Sequence, residues 1–208
     1  MKKFLGVAFS LLLVAGCGSA EQAVETPQEN SPTPLASAAN QSAQPEATQR
    51  ARKSLPVKGE IASCSSIRFH SKPTKDLIIN CLDGTQGFNV GAIEGPAIIN
   101  VWGSWCPPCV KEIPIFVDFY SQLDPSVQLV GIDFQDGPRF AVEPFIVKSG
   151  MTWPNLADQA GAVRAYFGSN VPVTWFINAD NEVAYKKFGP VESLSELQSL
   201  SMKYLGIS

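Results

Sequence analysis

An apolar run from Ala97 to Gly103 stops just before a Cys-Pro-Pro-Cys segment, and a helix-like pattern follows from Val110 to Tyr120. Near-continuous apolar runs of this length are typical of strands buried on both faces of a sheet. Pro107 suits a first helical position, because the N–H that proline lacks would have no partner there. The sequence therefore predicts a buried strand, a short turn, and a helix that begins at paired cysteines.

Those paired cysteines, Cys106 and Cys109, carry the chemistry that the sequence predicts. A helix N-terminus offers partial positive charge and free N–H groups, which stabilise a thiolate. A disulfide across so few residues constrains the unfolded chain little, so a purely structural bond explains the pair poorly. We interpret the pair as a thiol–disulfide redox site, with Cys106 as the exposed nucleophile and Cys109 as the less exposed resolving thiol.

The N-terminus predicts export and anchoring. A basic start, Met1 to Lys3, precedes an apolar stretch from Phe4 to Val14. That stretch is shorter than the roughly 20 residues that a membrane-spanning helix needs, and it fits an export signal. The segment 13–17, Leu-Val-Ala-Gly-Cys, resembles a bacterial lipobox, which implies a signal peptide over residues 1–16 and lipid attachment at Cys17. The alternative is an ordinary secretory signal with an incidental cysteine.

The rest of the chain divides by composition. Residues 17–54 are rich in Ala, Ser, Pro and Gln with almost no large apolar side chains, so we expect a disordered tether. Residues 55–208 are long enough for one globular domain. The formal net charge is −3 and no basic stripe is present, which argues against nucleic acid as a partner.

Periodicity within the domain predicts strands that alternate with helices, followed by an antiparallel hairpin and a last helix. This order favours a three-layer α/β domain with a mixed central sheet. Besides the first strand, the predicted strands are 77–79, 127–133, 173–177 and 183–187, with a brief helical turn at 88–93. The predicted helices are 106–123 interrupted at Pro114, 139–149, 159–167 and 191–204.

Two segments resemble a known family. Val101 to Pro114, with the sequence VWGSWCPPCVKEIP, resembles the active-site segment of thioredoxin-fold proteins of the TlpA/ResA/DsbE-like branch. Val171 to Asn178 resembles their cis-proline loop, and Gly189 lies where the family has a glycine after the hairpin. The resemblance implies a thioredoxin-like fold and a tethered, extracytoplasmic thiol–disulfide oxidoreductase that works without a bound cofactor.

The resemblance also implies roles for residues near the cysteines. Pro172 would lie beside the cysteine pair and leave the backbone of Val171 free to bind an extended substrate segment. Trp105 would shape the rim around the nucleophile. Glu112 would lie near the cysteines and take a proton from the resolving thiol, whereas the alternative is an exposed glutamate that complements the helix dipole. Asn100 stands where thioredoxins proper carry a buried acid.

Two further cysteines, Cys64 and Cys81, are 17 positions apart. In an oxidising compartment they are expected to form a structural disulfide, which would contribute about 3 kcal/mol by the chain-entropy model. One alternative is a second redox pair that relays electrons to the first. Another is a four-cysteine zinc site, which we do not favour because these two lack the short spacing of metal-binding pairs. We expect no metal.

The predicted function is electron exchange between the Cys-Pro-Pro-Cys couple and cysteines of exported proteins, with reduction of apocytochrome c thiols as a role found in the resembling branch. An oxidase or isomerase would use the same residues, and a non-catalytic protein- or metal-binding module is the alternative of another class. A thiol peroxidase is a further alternative, but its cysteine needs a neighbouring arginine. A Cys/His hydrolase is not expected, because the histidine that it would need, His70, is far from the motif. The expected partners are exported proteins, a membrane redox partner and the membrane itself, at the extracytoplasmic face of a bacterial cell envelope.

Overall fold

Seven strands form one mixed sheet within residues 60–206, the part of the chain that the computed structural model describes. The strands are β1 (Ile78–Cys81), β2 (Phe88–Asn89), β3 (Ala97–Trp102), β4 (Gln128–Phe134), β5 (Asn155–Asp158), β6 (Val173–Ile177) and β7 (Val183–Phe188). The α-helices are α1 (Pro107–Ser121), α2 (Arg139–Ser149), α3 (Arg164–Phe167) and α4 (Leu194–Leu205), and short 3-10 turns lie at Cys64–Ser66 and Val90–Ala92.

The strand order is β2-β1-β5-β4-β3-β6-β7. The three central strands β5, β4 and β3 are parallel, and every other pairing is antiparallel. Helix α1 connects β3 to β4 and helix α2 connects β4 to β5. The carboxyl ends of these parallel strands meet at one edge of the sheet. In open α/β sheets, ligands and reactive groups lie at that edge.

Two apolar clusters cover the two faces of the sheet. The first cluster joins α1, α2 and α4 to the face that Ile98, Trp102 and Leu129 line. The second cluster joins α3 and the segment around Cys64 to the opposite face. Because side chains alternate along a strand, neighbouring residues of β3 and β4 belong to different clusters. The result is the predicted three-layer arrangement, so the α/β fold with a mixed sheet and a terminal hairpin plus helix is confirmed.

Several predicted boundaries are wrong, and local hydrogen bonds explain the largest error. The helix predicted over 159–167 is only α3, because the Asp158 carboxylate accepts hydrogen bonds from Ala162 N and Val163 N at 2.8 Å each and fixes a turn there. Helix α1 is not interrupted at Pro114, whose exposed position leaves the missing N–H on the solvent side. Strand β5 is absent from the prediction, since its four residues, Asn-Leu-Ala-Asp, show too short a pattern.

Smaller differences lie at the edges of the sheet and at the last helix. The segment predicted as a helical turn at 88–93 contains β2 and the 3-10 turn at Val90–Ala92. Strand β1 begins one residue later than predicted and extends to Cys81, while α4 begins at Leu194, after the Ser193 N-cap, instead of at residue 191.

The predicted signal peptide 1–16, the lipid-modified Cys17 and the tether 17–54 lie outside the described residues. None of the helices within residues 60–206 combines the length and apolar character that a membrane crossing requires.

Candidate active site

The cysteine pair lies at the N-terminus of α1, at the carboxyl edge of β3. Cys106 is the N-cap residue of the helix, and its Sγ accepts a hydrogen bond from Cys109 N at 3.3 Å. Proline occupies the first turn, where no N–H is needed for the helix. The two sulfurs are joined in a disulfide. The strand, turn and helix therefore place a reducible bond in the field of a helix N-terminus.

The prediction of an exposed Cys106 is wrong for this oxidised state. Its residue surface is 3% exposed and that of Cys109 is 0% exposed, and both belong to the apolar cluster under α1. The order of accessibility is as expected, since Cys109 is the more buried of the two. Cys106 is covered because its sulfur faces the neighbouring loop before β6.

That loop contains a cis Val171–Pro172 peptide bond. Cys106 Sγ lies 3.8 Å from the carbonyl oxygen of Val171, so the structure does bring the disulfide and the proline loop together. The carbonyl of Pro172 accepts a hydrogen bond from Gly189 N at 3.1 Å, which ties the loop to the end of β7. Among residues 60–206, no group accepts a hydrogen bond from Val171 N–H.

Trp105 forms the exposed rim of the site. Its side chain is fixed by a hydrogen bond from Nε1 to Phe134 O at 3.1 Å, yet 53% of the residue remains exposed. Gly103 makes this possible, because a Cβ at that position would lie 2.6 Å from the indole nitrogen. A large apolar surface held rigidly beside a reactive group is suited to contact a partner protein.

Glu112 lies one helical turn after Cys109, and it is buried, with 1% of the residue exposed. Its Oε1 accepts a hydrogen bond from Asn100 Nδ2 at 2.9 Å, and its Oε2 accepts one from Val191 N at 2.8 Å. Burial raises the pKa of Glu112 to about 7, although the bonds from Val191 and Asn100 act in the opposite direction. The alternative of an exposed glutamate at the helix dipole is therefore wrong. The group can exchange a proton near neutral pH.

Sequence reasoning missed a second buried acid, Asp133, at the carboxyl edge of β4. It is 1% exposed and is the register partner of Trp102 on β3. Burial raises the pKa of Asp133 to about 8, and the negative charges of Asp136 and Asp158 add to this rise. A charged residue inside the apolar run from Val127 to Phe134 was the signal that could have identified it.

The other cysteines form a second disulfide, between Cys64 and Cys81, away from the first. Their residues are 0% and 3% exposed, and they belong to the apolar cluster on the opposite face of the sheet from α1. The structure does not bring the four cysteines together, which argues against the zinc site and against direct relay between the pairs. Asp83 is close to this disulfide, but both sulfurs are already bonded to each other.

His70 is part of neither site. It is half-buried before β1, and its Nδ1 accepts a hydrogen bond from Lys72 N at 3.3 Å. The structure gives the sole histidine of the chain a local structural contact instead of a catalytic one.

The sequence of this chain is similar to those of known thiol-disulfide oxidoreductases. Residues 71–186, more than half of the chain, match the model of the AhpC/TSA family. The sporulation thiol-disulfide oxidoreductase A of Bacillus subtilis is 34% identical over 105 residues, which cover 48% of this chain and 64% of that protein. The thiol-disulfide oxidoreductase ResA of Oceanobacillus iheyensis is 32% identical over 94 residues, or 44% of this chain and 48% of that protein. The chain thus spans less than two thirds of the length of these relatives.

Solved structures share the fold. StoA from Bacillus subtilis superposes with a TM-score of 0.51 at 27% sequence identity, covering 60% of this chain and 95% of that one. A secreted thiol-disulfide isomerase from Corynebacterium glutamicum superposes with a TM-score of 0.57, covering 67% of this chain and 92% of that one. At 19% identity the second match bears on the fold alone. Both superpositions identify the sheet and helices described above as a thioredoxin-like fold.

Proposed function

We propose a function from one premise: this chain belongs to the AhpC/TSA family and builds its site on a thioredoxin-like fold. The proposed activity is thiol–disulfide oxidoreduction, in which Cys106 and Cys109 exchange electrons with cysteines of exported proteins. The observation that carries the proposal is the disulfide at the N-terminus of α1, with Cys106 Sγ 3.8 Å from the carbonyl of Val171 in the cis-proline loop.

The reduced pair would react in two steps. The Cys106 thiolate attacks one sulfur of a partner disulfide, which breaks that S–S bond and forms a mixed disulfide, and the released partner thiolate takes a proton from water. Cys109 then attacks Cys106 Sγ, which releases the second partner thiolate for protonation and leaves the Cys106–Cys109 disulfide. Two electrons and, in sum, two protons reach the partner. The reverse sequence oxidises a partner dithiol.

Glu112 is the group best placed to take the proton of Cys109. Both residues are buried on α1, one turn apart, so water has little access to the resolving thiol. A carboxyl with a pKa of about 7 is ionised in part at neutral pH and can accept that proton, and it can return the proton in the reverse reaction. Asn100 Nδ2 and Val191 N fix the orientation of the carboxylate while it does so.

The partner would bind beside Pro172. The free N–H of Val171 supports backbone pairing with an extended segment, a form of recognition that tolerates different sequences. The exposed indole of Trp105, next to Cys106 in the chain, would add apolar contact. This arrangement suits partner proteins with accessible cysteines better than one small molecule.

We place the protein at the extracytoplasmic face of a bacterial membrane. The basic and apolar start of the chain, the lipobox-like segment before Cys17 and the tether up to residue 54 support a lipid anchor. The names of relatives as thiol-disulfide oxidoreductases and of one structural neighbour as secreted fit the same location. A membrane redox partner would restore the working state of the couple, and reduction of apocytochrome c thiols is the substrate class that we favour.

The reduction potential of the Cys106–Cys109 couple tests this proposal. The full chain in detergent is equilibrated with glutathione buffers, and thiols are trapped by alkylation and counted by mass. A potential near or below about −250 mV supports a reductant, whereas about −120 to −180 mV would identify an oxidase or isomerase and overturn the preferred direction. The absence of any reversible couple, with the protein folded, would leave only the binding module.

A further inference from the structure

Asp133 is a buried acid that the reaction above does not use. Along β4, Leu129, Gly131 and Asp133 point to one face of the sheet, because side chains alternate. Leu129 belongs to the cluster that also contains Cys106 and Cys109, so Asp133 points to the face covered by α1 and α2. Its register partner Trp102 lies in the same cluster. The acid therefore lies on the cysteine side of the sheet, at the edge where α1 begins.

The surroundings of Asp133 oppose a negative charge. Its Oδ1 is fully buried and accepts no hydrogen bond from any residue between 60 and 206. An unpaired buried carboxylate oxygen is costly, and the neutral acid avoids that cost. By contrast, both oxygens of Glu112, the other buried acid that α1 presents to this face, accept hydrogen bonds.

The charged neighbours act in the same direction. Asp136 follows β4 and Asp158 ends the adjacent strand, and both add negative charge near Asp133. Helix α2, which packs over the same face, carries Arg139 and Glu143, but these pair with each other at 3.6 Å. Repulsion from the two aspartates therefore favours the protonated form, in agreement with the raised pKa of Asp133.

A protonated Asp133 has one hydrogen to donate, and a side-chain hydrogen bond with Asp136 is among the causes that raise the pKa of Asp133, after burial and the charge of Asp136. Asp136 in turn accepts hydrogen bonds from Ser104 N at 2.6 Å and from Ser104 Oγ at 2.9 Å. Ser104 is two residues before Cys106. One carboxylate thus connects the buried acid to the loop that precedes the disulfide.

We propose that Asp133 is a positioning residue of the redox site: as a neutral acid it donates a hydrogen bond to Asp136, which holds the 103–106 loop and thereby Cys106. This inference rests on the proposed function in taking Cys106 as the reacting thiol. When Asp133 loses its proton, the donor disappears and a third negative charge arises beside the loop. Both effects act against the Cys106 thiolate, so the site becomes less reactive towards alkaline pH than its thiol alone would be.

The link itself is tested in the oxidised full chain by a double-mutant cycle. Unfolding free energies are measured by denaturant titration at pH 6 for the parent, Asp133→Leu, Ser104→Ala and the double variant. Leu has the same branching as Asp, with methyl groups in place of the two oxygens, and therefore no donor, and Ala removes only the Ser104 hydroxyl. We expect the double variant to lose less than the sum of the single losses, because each change breaks the same connection. Strict additivity would overturn the link.

The effect on chemistry is tested in the reduced chain by the rate of Cys106 alkylation with iodoacetamide between pH 6 and 9.5. Asp133→Asn keeps a donor but cannot ionise, so its rate should equal that of the parent at pH 6 and exceed it by about threefold above pH 8. Asp133→Leu, which lacks the donor, should react about tenfold more slowly at pH 6. A merely structural acid would change unfolding but leave the Asn-to-parent ratio flat, which would refute the proposal.

The two measurements separate this inference from the proposed function. If the parent shows no reversible Cys106–Cys109 couple, the proposed function fails, while the oxidised-state cycle still decides whether Asp133 and Ser104 are linked. If the couple is reversible but the alkylation ratio is flat with pH, the proposed function stands and the positioning role fails. Should Asp133→Leu not fold, the Asn-to-parent ratio and Ser104→Ala decide the same question.

Discussion

The two disulfides of this protein are the same bond in different surroundings. Cys106–Cys109 caps a helix at an edge of the sheet, with the carbonyl of Val171 at 3.8 Å and the exposed Trp105 next in the chain. Cys64–Cys81 lies under the opposite face, where both sulfurs contact the carbonyl of Asn155, at 3.6 Å and 3.5 Å. Only the first combines a helix N-terminus, a free backbone donor nearby and a buried proton acceptor.

The position of each disulfide in the fold, more than the presence of cysteine, decides whether the bond is reactive or structural. The loop closed by Cys64 and Cys81 spans 17 positions, against 3 for Cys106 and Cys109. In the chain-entropy model the longer loop contributes about 3 kcal/mol and the shorter about 1.5 kcal/mol less. The longer bond also ties the segment before β1 to the sheet, whereas the shorter one joins residues of a single turn.

The largest expected effect separates the two bonds by activity. Cys106→Ser should lower the rate of reduction of a disulfide-containing peptide by at least about 1,000-fold, because the attacking thiolate is gone. The matched control, Cys64→Ala with Cys81→Ala, should keep the parental rate within about threefold. Peptide thiols released over time measure both. A loss of activity in the control as large as in Cys106→Ser would break the division and favour electron relay between the pairs.

The second prediction concerns stability, to which the Cys64–Cys81 bond should contribute more than the Cys106–Cys109 bond. Removal of Cys64 and Cys81 together should lower the unfolding free energy of the oxidised protein by about 3 kcal/mol, through the unfolded chain. Replacement of Cys106 and Cys109 together by Ser should cost less. Denaturant titrations of the two double variants measure the difference. If the Cys106/Cys109 variant were the less stable, the shorter disulfide would be the main structural bond.

How far the sequence leads can be judged from the same two regions. The cysteine motif, the strand before it and the Val-Pro hairpin are local patterns, and the structure places them as expected. The contacts of Asp133 and Asn155 are not local. Asn155 lies on the four-residue strand β5 and binds Trp102 Nε1 at 3.0 Å across the sheet, and no period in the sequence indicates that pairing. These contacts depend on the order of the strands in the sheet, which the sequence pattern does not supply.

The third prediction concerns ease of reduction. Buried structural disulfides typically have potentials below about −300 mV, so Cys64–Cys81 should remain oxidised in glutathione buffers that reduce Cys106–Cys109. A gap of at least about 60 mV is expected, which corresponds to about a hundredfold difference in the reduction equilibrium constant. Alkylation followed by peptide mass analysis assigns each pair. Reduction of both pairs at one potential would contradict the structural assignment of the buried bond.

The last prediction, with the smallest expected effect, concerns the contribution of Glu112 to the pH dependence of the unfolding free energy. The unfolded chain releases the proton of Glu112 near its ordinary pKa of 4.5, whereas burial raises the pKa to about 7 in the folded protein. Between these values the folded state binds more protons, so the unfolding free energy falls as pH rises, by up to about 1.4 kcal/mol per pH unit. Glu112→Gln should remove the contribution of Glu112 and leave that of Asp133, whose pKa burial likewise raises, to about 8, as measured by denaturant titrations from pH 4.5 to 8. Glu182→Gln, on the exposed hairpin turn, is the control.

The result of that titration bears directly on why one disulfide is reactive. A slope that Glu112→Gln reduces between pH 4.5 and 7, and that Glu182→Gln leaves unchanged, assigns that proton to the carboxyl one turn from Cys109 and supports its role in the second step of exchange. The Cys64–Cys81 region offers Asp83 instead, which is more exposed and whose pKa is lowered by hydrogen bonds from Thr85, Ser63 and Cys64 despite some burial. That carboxyl is ionised over the whole range and cannot serve as a neutral-pH proton store. If Glu112→Gln left the slope unchanged, the pH dependence would belong to Asp133, and the proposed proton transfer to Glu112 would lose its support.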